Sequence, residues 1–323
     1  MNQQEQQMVE LLGANRDAVN KSFMLESATG VASAALIWTL AERRATVDAM
    51  HANHEILKSK TNVLSTERST GKLALLSRMA LSGDGATYLA EVRRIFAKIM
   101  EGKMFGTAAR LGAAIAIVNG TSTPDEADRL LARTNAIFER MEENHPLITN
   151  DRDLTSAVIV ALSDRDDDEL LADAEECYEL LGKGYKLTDG RQTMAHILAV
   201  SPAAPAEKVA RVKELRDALR AQVPRLGWTS SQEYAVLAML ALDDRPAAEL
   251  AANVSELYGQ VKELKGFGTL SLPSGIRLLC AAAISMHVHR GTGSVEAITD
   301  AIALAVAQAI IDWIIYTSII IAN

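Results

Sequence analysis

One recurring junction constrains this chain more than anything else: a short apolar run that ends on a small polar residue. It appears as Met79-Ala80-Leu81-Ser82, Ala116-Ile117-Val118-Asn119, Val160-Ala161-Leu162-Ser163, Leu198-Ala199-Val200-Ser201, Leu240-Ala241-Leu242-Asp243 and Ala282-Ala283-Ile284-Ser285. The junctions fall at 81, 118, 162, 200, 242 and 284, spaced 37 to 44 residues apart. Helical-hairpin arrays of the HEAT kind repeat at roughly 40–47 residues.

Each junction leads into a longer, charged segment. Thr123-Pro124-Asp125-Glu126, Asp166-Asp167-Asp168-Glu169, Pro205-Ala206-Glu207 and Pro246-Ala247-Ala248-Glu249 all read as helix starts. Proline loses nothing where the first-turn N–H is unpaired anyway, and acids complement the positive end of the helix dipole. Apolar pairs four residues apart follow: Ile95/Ile99, Ile137/Met141, Cys177/Leu181, Leu215/Leu219 and Leu257/Val261. Residues four apart share a helix face, so each long helix can dock on a short apolar one. Such a hairpin cannot cover its own face alone, and neighbours must stack. The fold class expected is all-α: irregular helical-hairpin repeats, α-solenoid-like, over residues 71–290. An ordinary helical bundle with hairpins of similar size is the alternative.

Composition excludes other classes. Aromatics make up 4% of 323 residues, with Gly 19 and Pro 7, too few turns and β-formers for a sandwich. A hydrophobic fraction of 49% excludes global disorder. The formal charge of −8 argues against an extended nucleic-acid surface, since phosphate repulsion would go uncompensated. Cys177 and Cys280 make no disulfide framework and suit a reducing compartment. The start, Met1-Asn2-Gln3-Gln4-Glu5, lacks the basic and apolar parts of a secretory leader, so a cytoplasmic location is expected.

Residues 1–70 read as an N-terminal helical region. Phe23, Leu25, Val31, Ala35, Trp38 and Ala45 fall near helical spacing, with Glu42-Arg43-Arg44 toward water. A further helix includes Met50, His54, Leu57 and Lys58, and Gly71 marks the boundary.

Residues 294–323 form a third unit, an apolar helix. No Lys or Arg follows Arg290, and Ala297, Ala301, Ala305 and Ala309 form a row beside Ile298, Ile302, Val306, Ile310 and Ile314. A row of period four drifts around a helix of 3.6 residues per turn, so no continuous face is polar. Asp300 and Asp312 would each cost about 2.5–3.5 kcal/mol near a bilayer centre, which favours packing over membrane association. The Ala row would let two backbones approach closely. Self-association is therefore expected through Ala301, Ala305, Ala309, Ile310, Trp313, Ile314, Tyr316 and Ile320, giving a homo-oligomer; burial within the same chain, as a cap on the repeat stack, is the alternative.

The familiar templates of chemistry are missing. Gly71-Lys72 lacks the rest of a Walker loop, and Gly182-Lys183-Gly184 lacks the third glycine and the preceding strand of a dinucleotide turn. Gly291-Thr292-Gly293-Ser294 reads as a turn and helix cap rather than an anion cradle. His51 with His54, and His287 with His289, offer two metal ligands each where a stable site needs more. Asp164 to Glu169 resembles a calcium loop in charge alone. No catalytic residue, cofactor-binding residue, metal ligand or cofactor is assigned.

Several segments resemble an uncharacterised all-helical family of unknown function, found mainly in Gram-positive bacteria. The resemblance rests on Leu57-Lys58-Ser59 with Leu64-Ser65 and Arg68, and on Leu147-Ile148-Thr149 with Asp151 and Asp153. It continues in Ala195-His196-Ile197-Leu198-Ala199, Tyr234-Ala235-Val236-Leu237 with Leu240-Ala241-Leu242, and Leu264-Lys265-Gly266-Phe267. It implies a bacterial, cytoplasmic helical domain and carries no activity with it.

The expected function is a non-enzymatic protein-interaction or self-assembling scaffold, with a protein partner and no nucleic acid. The alternative is an enzyme or small-ligand-binding protein whose site assembles from distant helices, such as His196 with Asp151 and Asp153.

Overall fold

The computed structural model describes residues 1–69, 71–185, 188–223, 226–228, 230–289, 309–311 and 315. Among these, the regular structure is fourteen α-helices and two 3₁₀ turns, with 309–311 and 315 also helical and no strand. Seven helices lie outside: α1 (Gln3–Ser22), α3 (Val47–Lys60), α5 (Gly85–Ile99), α7 (Pro124–Asn144), α9 (Asp167–Leu181), α11 (Pro205–Gln222) and α13 (Ala247–Glu263). Seven mostly shorter ones alternate with them: α2 (Ala28–Leu40), α4 (Lys72–Leu81), α6 (Ala108–Asn119), α8 (Asp153–Ala161), α10 (Thr188–Ala199), α12 (Ser231–Ala241) and α14 (Ser274–Val288).

The helix starts lie where their chemistry calls for them. Thr123 caps α7, and Pro124 takes its first position. Asp166 accepts from the amides of Asp168 and Glu169 at 2.9 and 3.2 Å, so the acid run is a helix start. Ile95/Ile99, Ile137/Met141, Cys177/Leu181, Leu215/Leu219 and Leu257/Val261 are all buried. Five junctions end a helix within a residue or so, whereas that at 284 lies inside α14, which runs on to Val288. Phe23 to Ser27 is a connection rather than helix, and Leu25 in it is fully exposed.

Each outer helix packs on the inner helix that follows it, and neighbouring pairs then pack side by side. Among the inner helices α2 meets α4, α6 meets α8, and α8, α10, α12 and α14 follow in turn. The gap between α4 and α6 is bridged by the turn at Thr66–Arg68, which touches both. Finally α14 packs against α1 and α2, and α13 against α1. The hairpins therefore close into a ring, where an open solenoid would leave its terminal hairpins apart.

Inner helices are buried on every face: Thr29–Thr39, Asp153–Ala161, Gln232–Leu240 and Gly275–Ser285 without interruption. Uniform apolarity has this consequence, because a helix with no polar side needs cover all round. Ala309, Ile310, Ile311 and Ile315 belong to the same continuous core. Successive helical residues point about 100° apart, so the burial of 309, 310 and 311 together means cover on all sides.

Arginines tie the hairpins together where the inner helices end. Arg133 on α7 donates to the carbonyls of Ala161 and Ser163 and pairs with Asp167. Arg165 donates to Ala199 O and Ser201 O at 2.6 and 2.8 Å, and Arg211 to Asp243 O and Arg245 O. The last carbonyls of a helix have no partner within it and carry partial negative charge, so a cation on, or just before, the outer helix docked on it satisfies both needs.

Candidate docking rim

The ring has two ends, and they differ in chemistry. Connections from outer to inner helices all lie at one end, because each inner-helix start touches the next. Lys72 pairs with Glu26 at 2.6 Å, and Arg110 with Asp151 at 2.7 Å. Gln192 donates to Thr149 Oγ1 at 3.0 Å, and Ser274 to Glu233 Oε1 at 2.7 Å. Between α10 and α12 the approach is so close that a Cβ on Gly190 would lie 2.6 Å from Tyr234.

This end carries exposed apolar residues. Met24 and Leu25 stand between α1 and α2, Val63 and Leu64 between α3 and α4, and Met104 and Phe105 between α5 and α6. Leu147 stands between α7 and α8, and Leu270 between α13 and α14. Among the described residues, the other large hydrophobics that exposed are Met1 and, in the last turn of α9, Leu180. Leu25, Leu64, Leu147 and Leu270 are 102%, 95%, 97% and 103% exposed, so they protrude rather than line a groove.

The connections are held rigidly in this presentation. Arg110 donates to Phe105 O at 2.6 Å, and Arg277 grips Gly268 O and Leu272 O on either side of Leu270. Arg68 donates to Thr61 Oγ1 and O at 2.8 and 2.6 Å, while Asn62 Oδ1 accepts from Leu64 N at 2.9 Å. Backbone bonds are thus satisfied internally and the apolar tips are left outward.

Charge at this end is mixed. Glu26 is taken by Lys72, Glu67 by Arg93 and Asp151 by Arg110, while Glu101 and, in the last turns of α7, α9 and α13, Glu142, Glu143, Glu179 and Glu263 are exposed. Lys21, Lys60, Lys103 and Lys265 are exposed beside the tips. The opposite end carries the acids of the outer-helix starts, among them Asp84, Asp125, Asp166, Asp168 and Asp244, all exposed.

The other candidates are structural in their contacts. His51 stacks on Phe23 at 4.6 Å between ring centres; His287 and His289 bond to Glu42 and Glu5 at 2.9 and 3.0 Å. Burial pushes the thiols of Cys177 and Cys280 up to about 11 and about 12. Gly182 closes α9, and residues 291–294 lie outside the described residues except in sequence. Of the residues expected to self-associate, Ala309 and Ile310 are covered by the parent chain. Ala301, Ala305, Trp313, Ile314, Tyr316 and Ile320 lie outside the described residues.

His196 is not joined to the two carboxylates that sequence placed with it. Asp151 is held by Arg110, and Asp153 accepts from Asn150 N at 2.9 Å. His196 is buried on α10, and its Nδ1 has no hydrogen-bond partner among the described residues. Burial, with His145 adding to it, holds its pKa down at about 3. The unfolded chain takes up this proton near pH 6.5 and the folded chain does not until about pH 3. Stability is therefore full above pH 6.5 and falls as pH drops through that window. Between pH 6.5 and 4.5 the loss expected from this group is about 2.5 kcal/mol. Urea titrations of wild type and His196→Leu over that range should show a flatter pH dependence in the variant; parallel curves would refute the assignment.

The family model described as a protein of unknown function (DUF4003) matches residues 16–313. No curated protein and no solved structure matches the chain.

Proposed function

Because the chain belongs to the DUF4003 family, whose function is unknown, we propose a function from its own geometry: a non-enzymatic scaffold that docks through the apolar rim of its helical ring. One observation carries this reading. Apolar residues that a monomer gains nothing by exposing recur in five connections, all at one end, and three of these connections are fixed by polar contacts beneath them. Separate exposed leucines are ordinary on protein surfaces, but their confinement to one end is what marks an interaction surface. Rigid presentation also reduces the conformational entropy lost on association.

A photoreactive phenylalanine analogue at positions 105 and 270 tests the reading, with position 166 at the acidic end as control. Irradiation of the full chain in its native cells should give adducts from 105 and 270 and none from 166. Absence of adducts at both rim positions would overturn the docking scaffold.

A further inference from the structure

We infer that the cleft between the end of α11, α13 and the start of α14 binds a small phosphate monoester, its phosphate held by Arg277 and Lys262. The inference goes beyond the docking scaffold and does not rest on it. Three features carry it.

The first is a buried charge with no counter-charge. Arg277, in the first turn of α14, is 4% exposed and lines a cleft of about 760 Å³, a size typical of small-molecule sites. Its Nε donates to Tyr258 Oη at 3.2 Å, and its Nη1 donates to Gly268 O and Leu272 O. Among the described residues Nη2 has no partner, and Arg277 forms no salt bridge. Carbonyl oxygens satisfy N–H groups but bring no full negative charge, and a buried cation is costly until one arrives. An anion in the cleft supplies it.

The second is the charge of the wall. Lys262, half-buried in the last turn of α13, lines the same cleft and forms no salt bridge among the described residues. None of the described lining residues is acidic. Glu233 stands behind Ser274, whose Oγ donates to it at 2.7 Å, and does not line the cleft. Ser274 also opens α14, a helix of 15 residues whose first turn has no side-chain cap, so the positive helix end adds to the two cations. Two cations call for a dianion. A phosphate monoester carries about −1.5 to −2 at neutral pH, whereas a monocarboxylate would leave one cation unmatched. With Nε and Nη1 engaged, Arg277 cannot present the two parallel N–H groups that a planar carboxylate prefers. Nη2 and the Lys262 ammonium, as separate donors, suit the spread oxygens of a phosphate.

The third is a glycine that its own helix does not need. Gly259 lies inside α13 at the cleft wall, and a Cβ there would meet nothing within 4 Å. Glycine is the poorest helix former after proline, so neither packing nor helix stability favours it at this position. Ser255, one turn earlier on the same face, lines the cleft too, and its Oγ has no hydrogen-bond partner among the described residues. Small residues at both positions keep space open, and Val223 and Leu272 give the organic part of the ligand an apolar side to lie against.

Isothermal titration of the full chain with glycerol phosphate, inorganic phosphate and succinate, at neutral pH and low salt, tests the inference. Both phosphates should bind, glycerol phosphate the more tightly, and succinate should not. Lys262→Gln should weaken binding at least ~tenfold, the loss of one charge-assisted hydrogen bond. Gly259→Leu should fill the cleft and abolish binding of glycerol phosphate, yet melt at or above the wild-type temperature, because leucine is the better helix former. Arg277→Met should abolish binding as well. Since it also releases the grip on Gly268 and Leu272, the two variants that keep that grip decide the matter. Failure of the wild type to bind either phosphate would overturn the assignment, as would binding unchanged in both Lys262→Gln and Gly259→Leu. Succinate bound more tightly than glycerol phosphate would overturn the choice of phosphate.

Discussion

Ile310→Asp should abolish cooperative unfolding at ordinary temperatures or lower the melting temperature by well over 10 °C. Ile310 is fully buried in the continuous core, next to Ala309 and Ile311 in the same state. Losing the isoleucine packing costs about 2–5 kcal/mol, and burying an unpaired carboxylate adds several more. Domains are stable by roughly 5–15 kcal/mol in total, so little would remain. Ile310→Val, which removes one methylene, should cost only about 1 kcal/mol. Circular dichroism melts of the three proteins decide the matter, and an Asp variant that melts like wild type would show that the parent chain does not cover this position. Concentration separates the two sources of cover. Burial by the parent chain predicts a melting temperature independent of protein concentration, whereas burial by a second copy predicts one that rises with it.

The second large effect is expected at Asp173→Ala. Lys208 on α11 keeps 2% of its side chain exposed and meets Asp173 of α9 at 2.7 Å; Arg165 reaches the same oxygen at 2.8 Å. Burial disfavours the Asp173 carboxylate, but the bonds from Lys208 and Arg165 outweigh it and hold its pKa below the usual range. Removing the acid leaves a desolvated ammonium beside a guanidinium, and breaking such a pair costs on the order of 3–5 kcal/mol. Lys208→Met added to Asp173→Ala should restore much of the loss, since an apolar side chain of similar length fits where the unpaired charge does not. Urea unfolding of the single and double variants measures the coupling. Equal stabilities would show that the pair contributes nothing to holding α9 on α11. Acid should weaken the same contact in the wild type, because the depressed carboxyl contributes stability above its unfolded pKa and loses it as pH falls through the folded one.

Local chemistry was legible in the sequence because it acts over a few residues. Thr123-Pro124, Asp166 and Pro205 begin helices for reasons carried by each residue and its immediate neighbours. The pairs from Ile95/Ile99 to Leu257/Val261 are buried because helical geometry alone puts them on one face. Ring closure could not be read this way. It depends on α14 meeting α1 and α2, elements some 250 residues apart whose apolar patterns fit an open stack equally well. The rim was missed for a different reason. Phe23 and Leu25 fit a helical period by chance, so Leu25 reads as core when it is fully exposed. A signal was present in Gly102-Lys103-Met104-Phe105-Gly106: apolar residues beside a lysine, inside a glycine-bounded turn too short to bury them. The arginine ties were invisible singly, yet Arg133 to Ala161, Arg165 to Ala199 and Arg211 to Asp243 span 28, 34 and 32 residues, close to one hairpin each.

Closure of the ring imposes an order on synthesis. Glu5, buried on α1, accepts from Asn253 at 2.6 Å, and Ser285 of α14 donates to the same asparagine at 2.6 Å. The two sides of this seam are 248 residues apart. At the ~5–20 residues per second of translation, α1 waits about 12–50 s for its partner to leave the ribosome, far longer than a helix takes to form. During that interval α2, apolar on every face, has neighbours on one side only. Its other side stays uncovered until α14 emerges, so slowing translation through α13 and α14 is expected to lower the yield of folded protein.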